Sequence, residues 1–424
     1  MHKTIKNIRA LRFTPKKILF LVVCLIAIGL ATTLFSKAQT ASVSIGFDAC
    51  ERVTAPATCQ NGVVRFAKQQ PATGSFSLSG YKIIDPSGKE FVPVGINEYG
   101  PNVANANTPE EVIYNRANLY KDVFKFNTVR FVTCTQNNVC DSLGGYGTFN
   151  STSFTALDRY INEMTAKGIV VMISNHDGKA CWQYGFDSDD KRSVYEFWSA
   201  AAARYKNNPY VWFNVSNEPN NDSNLWREVH REAITRIRAT GARNMIIVDG
   251  LNCANDQTNR SNNIDLNQSA IYTYGQELLQ LASGNVIFST HQYDITLTAD
   301  LGIPTNTTRF AQFVDGIRSK GLALLVGEIP SPYNTPASST KDKKEVSFES
   351  VMNVAIEKKN LGVLTWTPYK NVDGFCLITG QCAGTGANQA TQWWNINKTD
   401  GAKPTNLTRG GSVMWDYAHL INGL

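Results

Sequence analysis

The sequence predicts an α/β protein, a (β/α)8 TIM barrel with elaborated loops, and two regularities carry that prediction. From residue 81 onward, eight short runs rich in β-branched and apolar residues recur along the chain. Stretches with the apolar spacing of a helix lie between them. Such alternation is typical of a parallel sheet, and eight units in about 340 residues fit one closed barrel. The predicted strands are residues 92–96, 128–132, 169–174, 211–215, 245–248, 286–289, 322–326 and 363–365.

The helices are predicted from apolar residues that recur on one face of each segment. They cover residues 110–126, 155–167, 193–205, 224–240, 309–320 and 347–358, with a weaker helical pattern at 268–281. An open, doubly wound sheet is the alternative arrangement of the same elements. It normally carries a glycine-rich phosphate turn after a strand, and the sequence shows none.

Residues 1–40 have the order of an export signal or a membrane anchor. Six basic residues precede an uncharged apolar run at 18–35, and small and polar residues follow at 36–40. The run is long enough to span a bilayer, so cleavage after it and an uncleaved tether both stay open. Either way we expect a secreted or extracytoplasmic body. Residues 41–79 are expected to form a linker or a small cap with a disulfide loop, and residues 80–424 the barrel.

The cysteine count fits an oxidising compartment. Without Cys24, which lies in the apolar run, eight cysteines remain, and three pairs are close in sequence. Zinc is the alternative, but no two cysteines have the C-x-x-C spacing and the chain has only five histidines, so we expect no metal site. From loop length, and by elimination for the last pair, we predict disulfides Cys50–Cys59, Cys134–Cys140, Cys376–Cys382 and Cys181–Cys253.

Composition and charge exclude several classes of protein and partner. With 42% hydrophobic and 18% charged residues, the chain is too apolar for a disordered protein or a coiled coil. The net charge of +6 comes from residues 1–40, which hold seven Lys or Arg; the other 34 basic residues face 35 acidic ones. This neutral body argues against nucleic acid as a partner. A monomer is the default expectation.

Polar residues at the ends of the predicted strands indicate where the chemistry lies. In such a barrel, the carboxyl ends of the strands surround one mouth. Glu218 follows the fourth predicted strand and Glu328 the seventh, so two carboxylates are expected to face one another there. Such a pair can cleave a glycosidic bond: one carboxyl protonates the leaving oxygen, and the other attacks or stabilises the anomeric carbon.

Other polar and aromatic residues near the same strand ends have roles that suit this chemistry. Arg130 and Tyr293 can keep one carboxylate ionised, because a cation and a hydrogen-bond donor both favour the charged form. Asn217 can donate to a sugar 2-hydroxyl, and Trp366 offers a flat apolar face to a pyranose ring. Further candidates for the mouth are the aromatic platforms Trp182 and Trp394 and the rim residues Asp249 and Asn252.

This set of residues resembles glycoside hydrolase family 5, the cellulase family, over roughly residues 80–424. The family pattern is Arg, His, Asn-Glu, His-x-Tyr, Glu and Trp. Its counterparts here, in order, are Arg130, His176, Asn217, Glu218, His291, Tyr293, Glu328 and Trp366. Segment 80–97 also resembles the family's first hairpin and first strand. The resemblance implies a retaining hydrolase without cofactor, in which Glu218 is the acid/base and Glu328 the nucleophile.

The substrate and the reaction outcome stay open at this point. We expect a β-linked polysaccharide or oligosaccharide, β-1,4-glucan first and β-mannan next, cut by an endo-acting enzyme. Ser174 stands where many family cellulases have an aspartate, and Glu328 is followed by Ile-Pro rather than a glycine-rich turn, which blurs the substrate. The alternatives are a transglycosylase on the same scaffold and a non-catalytic carbohydrate-binding barrel tethered through residues 18–35.

Overall fold

The structure, a computed structural model, falls into two units that divide at residue 68. It describes residues 57–60, 63–66, 74–99, 110–133, 151–176, 192–219, 222–256, 265–293, 302–330, 343–366, 376–378 and 402–424. In the first unit, Met1–Lys68, the described residues form an antiparallel hairpin of β1 (Ala57–Gln60) and β2 (Val63–Phe66). The second unit, Gln69–Leu424, contains the remaining described strands and helices.

The second unit contains a closed barrel of eight parallel strands, which confirms the predicted (β/α)8 architecture. A short antiparallel hairpin, β3 (Ser77–Ser79) and β4 (Lys82–Ile84), precedes it. The barrel strands are β5 (Val94–Tyr99), β6 (Thr128–Thr133), β7 (Val170–Asn175), β8 (Val211–Asn214), β9 (Ile246–Asp249), β10 (Val286–His291), β11 (Ala323–Pro330) and β12 (Gly362–Trp366). They pair in sequence order, and β12 pairs with β5 to close the ring.

A helix follows each barrel strand along the described chain. These are α1 (Glu110–Asn118), α2 (Ser151–Ala166), α3 (Phe197–Tyr205), α4 (Ser223–Ala239), α5 (Ala270–Leu281), α6 (Gly302–Ser319), α7 (Lys343–Lys358) and α8 (Arg409–Ile421). A π-helical turn, Leu119–Phe124, continues α1, and another, Arg192–Glu196, leads into α3. Helix α8 was not predicted from the sequence, because glycines at 410 and 411 weaken helical propensity in its first turn. The Thr408 side chain caps it by accepting from the Gly411 amide.

The strands form because β-branched and apolar residues fill both of their faces. In β7, Val170 and Met172 belong to the apolar cluster inside the barrel, whereas Val171 and Ile173 belong to the cluster between barrel and helices. Every residue of β7 is buried, as expected for a strand covered on both sides. The two-residue period also determines which side chains reach the mouth: two positions after Met172, the inward face carries Ser174.

Aromatic rings fill the barrel near the amino ends of the strands. Phe76 makes edge-on contacts with Phe91, Tyr210 and Trp212, with ring centroids 5.1 to 5.3 Å apart. Phe76 and Trp212 are almost completely buried. With this end packed by rings, the polar interior positions lie at the opposite, carboxyl end.

Several predictions about the termini and cysteines fall on residues outside the described ranges. Cys253 and Cys376 are each disulfide-bonded. The partners predicted for them, Cys181 and Cys382, are not among the described residues, so all four pairings stay predictions. The apolar run 18–35 also lies outside; in the parts of the chain that the structure describes, no helix is both long and apolar enough to cross a membrane.

Candidate active site

Glu328 lies near the end of β11, buried, with a positive and a neutral donor on its two carboxylate oxygens. Arg130 Nη1 donates to Oε1 at 2.5 Å, and the Tyr293 hydroxyl donates to Oε2 at 2.7 Å. Burial raises the pKa of Glu328, and the neighbouring Glu218 adds to the increase, whereas His291, Arg130 and the Tyr293 hydrogen bond oppose it. The two donors therefore favour the ionised form that burial disfavours.

Arg130 extends from β6 into the barrel interior and connects several strand ends. Its side chain is fully buried, so each of its donors needs a partner. Its Nε donates to Asn214 Oδ1 at 2.7 Å. Its Nη1 donates to Asn97 Oδ1 at 3.0 Å and to Glu328 Oε1 at 2.5 Å. Its Nη2 donates to Asn217 Oδ1 at 2.8 Å and to Asp249 Oδ2 at 3.3 Å. This network fixes the guanidinium plane against Glu328.

Glu218 follows β8 in a left-handed backbone conformation, with φ of +47°. A non-glycine residue adopts this conformation at a cost, and such residues concentrate at functional sites. The Glu218 amide donates to Asp249 Oδ2 at 3.3 Å, and the preceding Asn217 amide donates to the Asn175 carbonyl at 2.8 Å. The Glu218 side chain is 20% exposed, against 5% for Glu328, so Glu218 is the carboxylate with more access to solvent.

His291 ends β10 and stands between the two carboxylates. Its Nδ1 lies 2.9 Å from Oε1 of Glu218 and 3.7 Å from Oε2 of Glu328. Burial by itself would lower the pKa of His291, but the charges of Glu328 and Asp249 and the hydrogen bond with Glu218 outweigh it, and the pKa is raised. The ring therefore tends to hold a proton beside Glu218.

The two carboxylates are close enough to act on the same bond. One oxygen of Glu218 and one of Glu328 lie within 4.8 Å of each other and of His291. Retaining glycosidases have carboxyl groups about 5–5.5 Å apart, whereas inverting ones leave room for a water at about 6.5–9.5 Å. The spacing fits direct attack by one carboxylate.

The same three side chains are also the described group with the spacing of metal ligands. Their atoms already have partners within the site, since Glu328 is held by Arg130 and Tyr293, and His291 by Glu218. A cation here would compete with the Arg130 guanidinium. The donor set suits proton transfer better than metal binding.

The other residues predicted from the sequence are divided between the site and the undescribed parts of the chain. His176 follows β7, and its ring faces Trp366 at the end of β12, with centroids 6.2 Å apart and planes inclined by 15°. Desolvation, with the positive charges of Arg130 and His291, lowers the pKa of His176 well below its usual value and keeps the ring neutral. Trp182 and Trp394 lie outside the described residues and stay predictions.

Several residues of the site were missed or misplaced by sequence reasoning. Asp249 is not at the rim, as expected, but fully buried at the end of β9. Asn97 and Asn214 support Arg130 and were not predicted. The two-residue alternation of a strand could have identified them, because every second side chain points into the barrel. Asn97 lies two residues after Gly95, and Asn214 lies two residues after Trp212.

Gly327, next to the nucleophile candidate, was also missed. It lies opposite Ser289 and His291, where a Cβ atom would overlap Ser289 Oγ and lie 3.1 Å from His291 Nε2. The pairing register shifts at His291 in β10 and between Val326 and Ile329 in β11. These irregularities redirect His291 and Glu328 toward the mouth.

The chain is similar in sequence and in fold to several known proteins. The sequence matches the family model described as cellulase (glycosyl hydrolase family 5) over residues 85–371. It is 24% identical to a mannan endo-1,4-beta-mannosidase of Cellvibrio japonicus, covering 79% of this chain and 68% of the relative. It is 22% identical to a mannan endo-1,4-beta-mannosidase of Streptomyces lividans, covering 84% and 85%. The catalytic domain of a Thermobifida fusca endoglucanase superposes with a TM-score of 0.57 at 14% identity, covering 82% and 97%.

Proposed function

The chain belongs to the cellulase family, glycosyl hydrolase family 5, and on that premise we propose that it is a retaining endo-β-1,4-mannanase. Membership of the family makes it an O-glycoside hydrolase. One observation carries the choice of substrate: two mannan endo-1,4-beta-mannosidases each align with about four fifths of the chain. β-1,4-Glucan, the first choice from sequence, is the second candidate, and it rests on the family description alone.

The site supports a double displacement. In the first step an oxygen of Glu328 attacks the anomeric carbon, the glycosidic C–O bond breaks, and Glu218 gives its proton to the leaving oxygen. In the second step Glu218 takes a proton from water, the water oxygen attacks the same carbon, and Glu328 leaves. Two inversions produce net retention of configuration.

The supporting contacts suit these two roles. Arg130 and Tyr293 favour the ionised form of Glu328, which is the form that attacks, against the burial that raises its pKa. Glu218 is more exposed and is paired with His291, so it can receive and release a proton. Asn217 offers its Oδ1 to Arg130, which leaves the amide nitrogen of the carboxamide as the donor for the sugar 2-hydroxyl.

The first experiment measures reducing-sugar release from soluble galactomannan, mixed-linkage β-glucan, a soluble cellulose derivative and xylan. We compare the full chain with Glu328→Gln and with the control Glu277→Gln, which removes a surface carboxylate that pairs with Arg227 and Arg231. We expect release from galactomannan, a loss of at least ~10³-fold in Glu328→Gln, and wild-type rates in the control.

Three results would change the proposal. Release from the glucans alone would keep the mechanism and replace mannan by glucan as the substrate. An α-configured first product, detected by NMR during the early reaction, would contradict retention. No hydrolysis of any polymer, together with intact polymer binding by Glu328→Gln, would favour the carbohydrate-binding or transferase alternatives.

We also infer that the barrel works outside the cytoplasm. A polymeric substrate is met there, residues 1–40 have the order of an export segment, and Cys253 and Cys376 are disulfide-bonded. Fractionation of cells that express the full chain tests this inference. Activity retained in the cytoplasmic fraction would contradict it. Activity that detergent but not salt releases from membranes would indicate a tethered form, and activity found free of the membranes would indicate a cleaved form.

A further inference from the structure

Asp249 is a fully buried carboxylate that touches the supports of both candidate catalytic residues. Its Oδ2 lies 3.3 Å from Nη2 of Arg130, which holds Glu328, and 3.4 Å from Nε2 of His291, which holds Glu218. The same oxygen accepts from the backbone amide of Glu218 at 3.3 Å. A single oxygen atom thus faces three positive or donor groups, each connected to a different part of the site.

The position of Asp249 is fixed from behind. Its Oδ1 accepts from Asn214 Nδ2 at 3.0 Å, and its backbone carbonyl accepts from the Trp226 indole of α4 at 2.9 Å. Both partners are buried. A carboxylate held in this way has little rotational freedom, so it can transmit an orientation to the groups that it contacts.

The charges around His291 explain why a third carboxylate matters. The charged groups that act on its ring are Glu218 after β8, Asp249 on β9, Glu328 on β11 and Arg130 on β6. His176 after β7 also interacts electrostatically with His291, and the Tyr293 hydroxyl donates to Glu328. When ionised, the three carboxylates outnumber the one guanidinium, and two of them, Asp249 and Glu328, are buried. A proton on the His291–Glu218 pair reduces that excess.

We propose that Asp249 is a positioning residue for the glycosidase reaction: it keeps a proton on the His291–Glu218 pair and holds Arg130 in the plane of Glu328. It does not contact substrate, because it is fully buried beneath the catalytic side chains. The inference rests on the proposed hydrolytic function of this site. Asp249 would thus connect the support of the acid/base, Glu218, with the support of the nucleophile, Glu328.

The substitution Asp249→Asn keeps the size of the side chain and removes its charge. The charge of Asp249 helps to raise the pKa of His291, so its loss should lower that pKa, and we expect the limb of the pH–activity profile that depends on His291 to move toward acid pH. Arg130 and His291 also lose the negative charge that lies 3.3 and 3.4 Å from them, so their orientation is held less firmly and kcat should fall by ~10- to 100-fold. KM for soluble galactomannan should stay within about 2-fold, because the ground-state contacts to sugar are unchanged.

The matched control is Asp256→Asn, another buried aspartate in the chain segment after β9. Asp256 accepts from the amides of Leu251 and Ala270 and from the Ser269 hydroxyl, and none of these described partners belongs to the candidate catalytic residues. We expect this variant to lose thermal stability without a shift of the pH profile. A lower kcat in Asp249→Asn with an unshifted profile would show that Asp249 is merely structural and would overturn the proposal.

A second measurement is independent of any substrate. Histidine rings labelled with ¹⁵N report protonation by NMR, and the chain has five histidines, so His291 can be assigned by substitution. The pKa of His291 should be lower in Asp249→Asn than in the wild type and unchanged in Asp256→Asn. An unshifted His291 titration would overturn the proposal even if the hydrolase activity is confirmed. A shifted titration in a chain that hydrolyses none of the polymers would count against the proposed function instead.

Discussion

A side chain at position 327 would have no room, because Ser289 and His291 fill the space next to Gly327. A Cβ built at this position would overlap Ser289 Oγ and lie 3.1 and 3.3 Å from Nε2 and Cδ2 of His291, below the 3.4–4 Å of an ordinary contact. Both neighbours are buried and lie on the adjacent strand, so the strain of Gly327→Ala has to be relieved inside the barrel. The substitution therefore tests whether close packing behind the nucleophile sets the geometry of the site.

The expected effects of Gly327→Ala follow from overpacking. An added methyl in a packed interior typically costs ~1–3 kcal/mol in the free energy of unfolding. Displacement of the imidazole lengthens the 2.9 Å contact between His291 and Glu218, and misplacement of a catalytic group by about 1 Å lowers the rate by ~10²-fold. Stability falls modestly, and kcat falls much more.

A double-mutant cycle with Ser289→Ala separates the two effects. Among the described residues the buried Ser289 hydroxyl has no hydrogen-bond partner, so its removal alone should be nearly neutral. Urea unfolding and kcat are measured for the wild type, both single variants and the double variant. The double variant should regain most of the stability and only part of kcat, because the His291 contacts persist. Wild-type kcat and stability in Gly327→Ala alone would refute the reasoning.

Two further predictions concern buried carboxylates. Tyr293→Phe removes a hydrogen bond that lowers the pKa of Glu328, so that pKa should rise. Because the nucleophile must be ionised, the acidic limb of the pH–activity profile should then move to higher pH. An unmoved limb would contradict the role assigned to Tyr293. Arg116→Met leaves Glu98 buried without the cationic partner 2.5 Å away, so the free energy of unfolding, measured with urea, should fall by ~3–5 kcal/mol. Lys82→Met, which breaks an exposed ion pair with Glu90, is the control. An equal loss of stability in the two variants would contradict the argument from burial.

The barrel, and the strand ends at which the candidate site residues lie, could be predicted because both depend on local sequence patterns. Apolar runs with flanking polar residues identified all eight strands, and the strand-end rule selected Glu218 and Glu328. The strand ends were less well predicted. β10 and β11 extend to His291 and Pro330, beyond the predicted ends at 289 and 326. Polar side chains there looked like strand terminators, whereas in this barrel they line the inside of the mouth.

The role of Asp249 shows what local pattern does not contain. Its neighbours Arg130 and His291 lie 119 and 42 positions away in the chain. Nothing in its own segment distinguishes a solvated rim carboxylate from a buried one. The difference arises because inward residues of neighbouring strands meet at the same height only once the sheet has closed.

The sequence by itself therefore determined the alternation of strands and helices and the face of each strand, because these depend on periods of two and about 3.6 residues. It also placed Glu218 and Glu328 near strand ends. Only the tertiary structure decided the contacts of Arg130, the left-handed backbone of Glu218 and the approach of His291 to Gly327. These depend on barrel closure, which joins residues as far apart as Asn97 and Thr365, separated by 268 positions. Hydrogen-bond geometry at such separations is a property of the packed ring of strands rather than of any one segment.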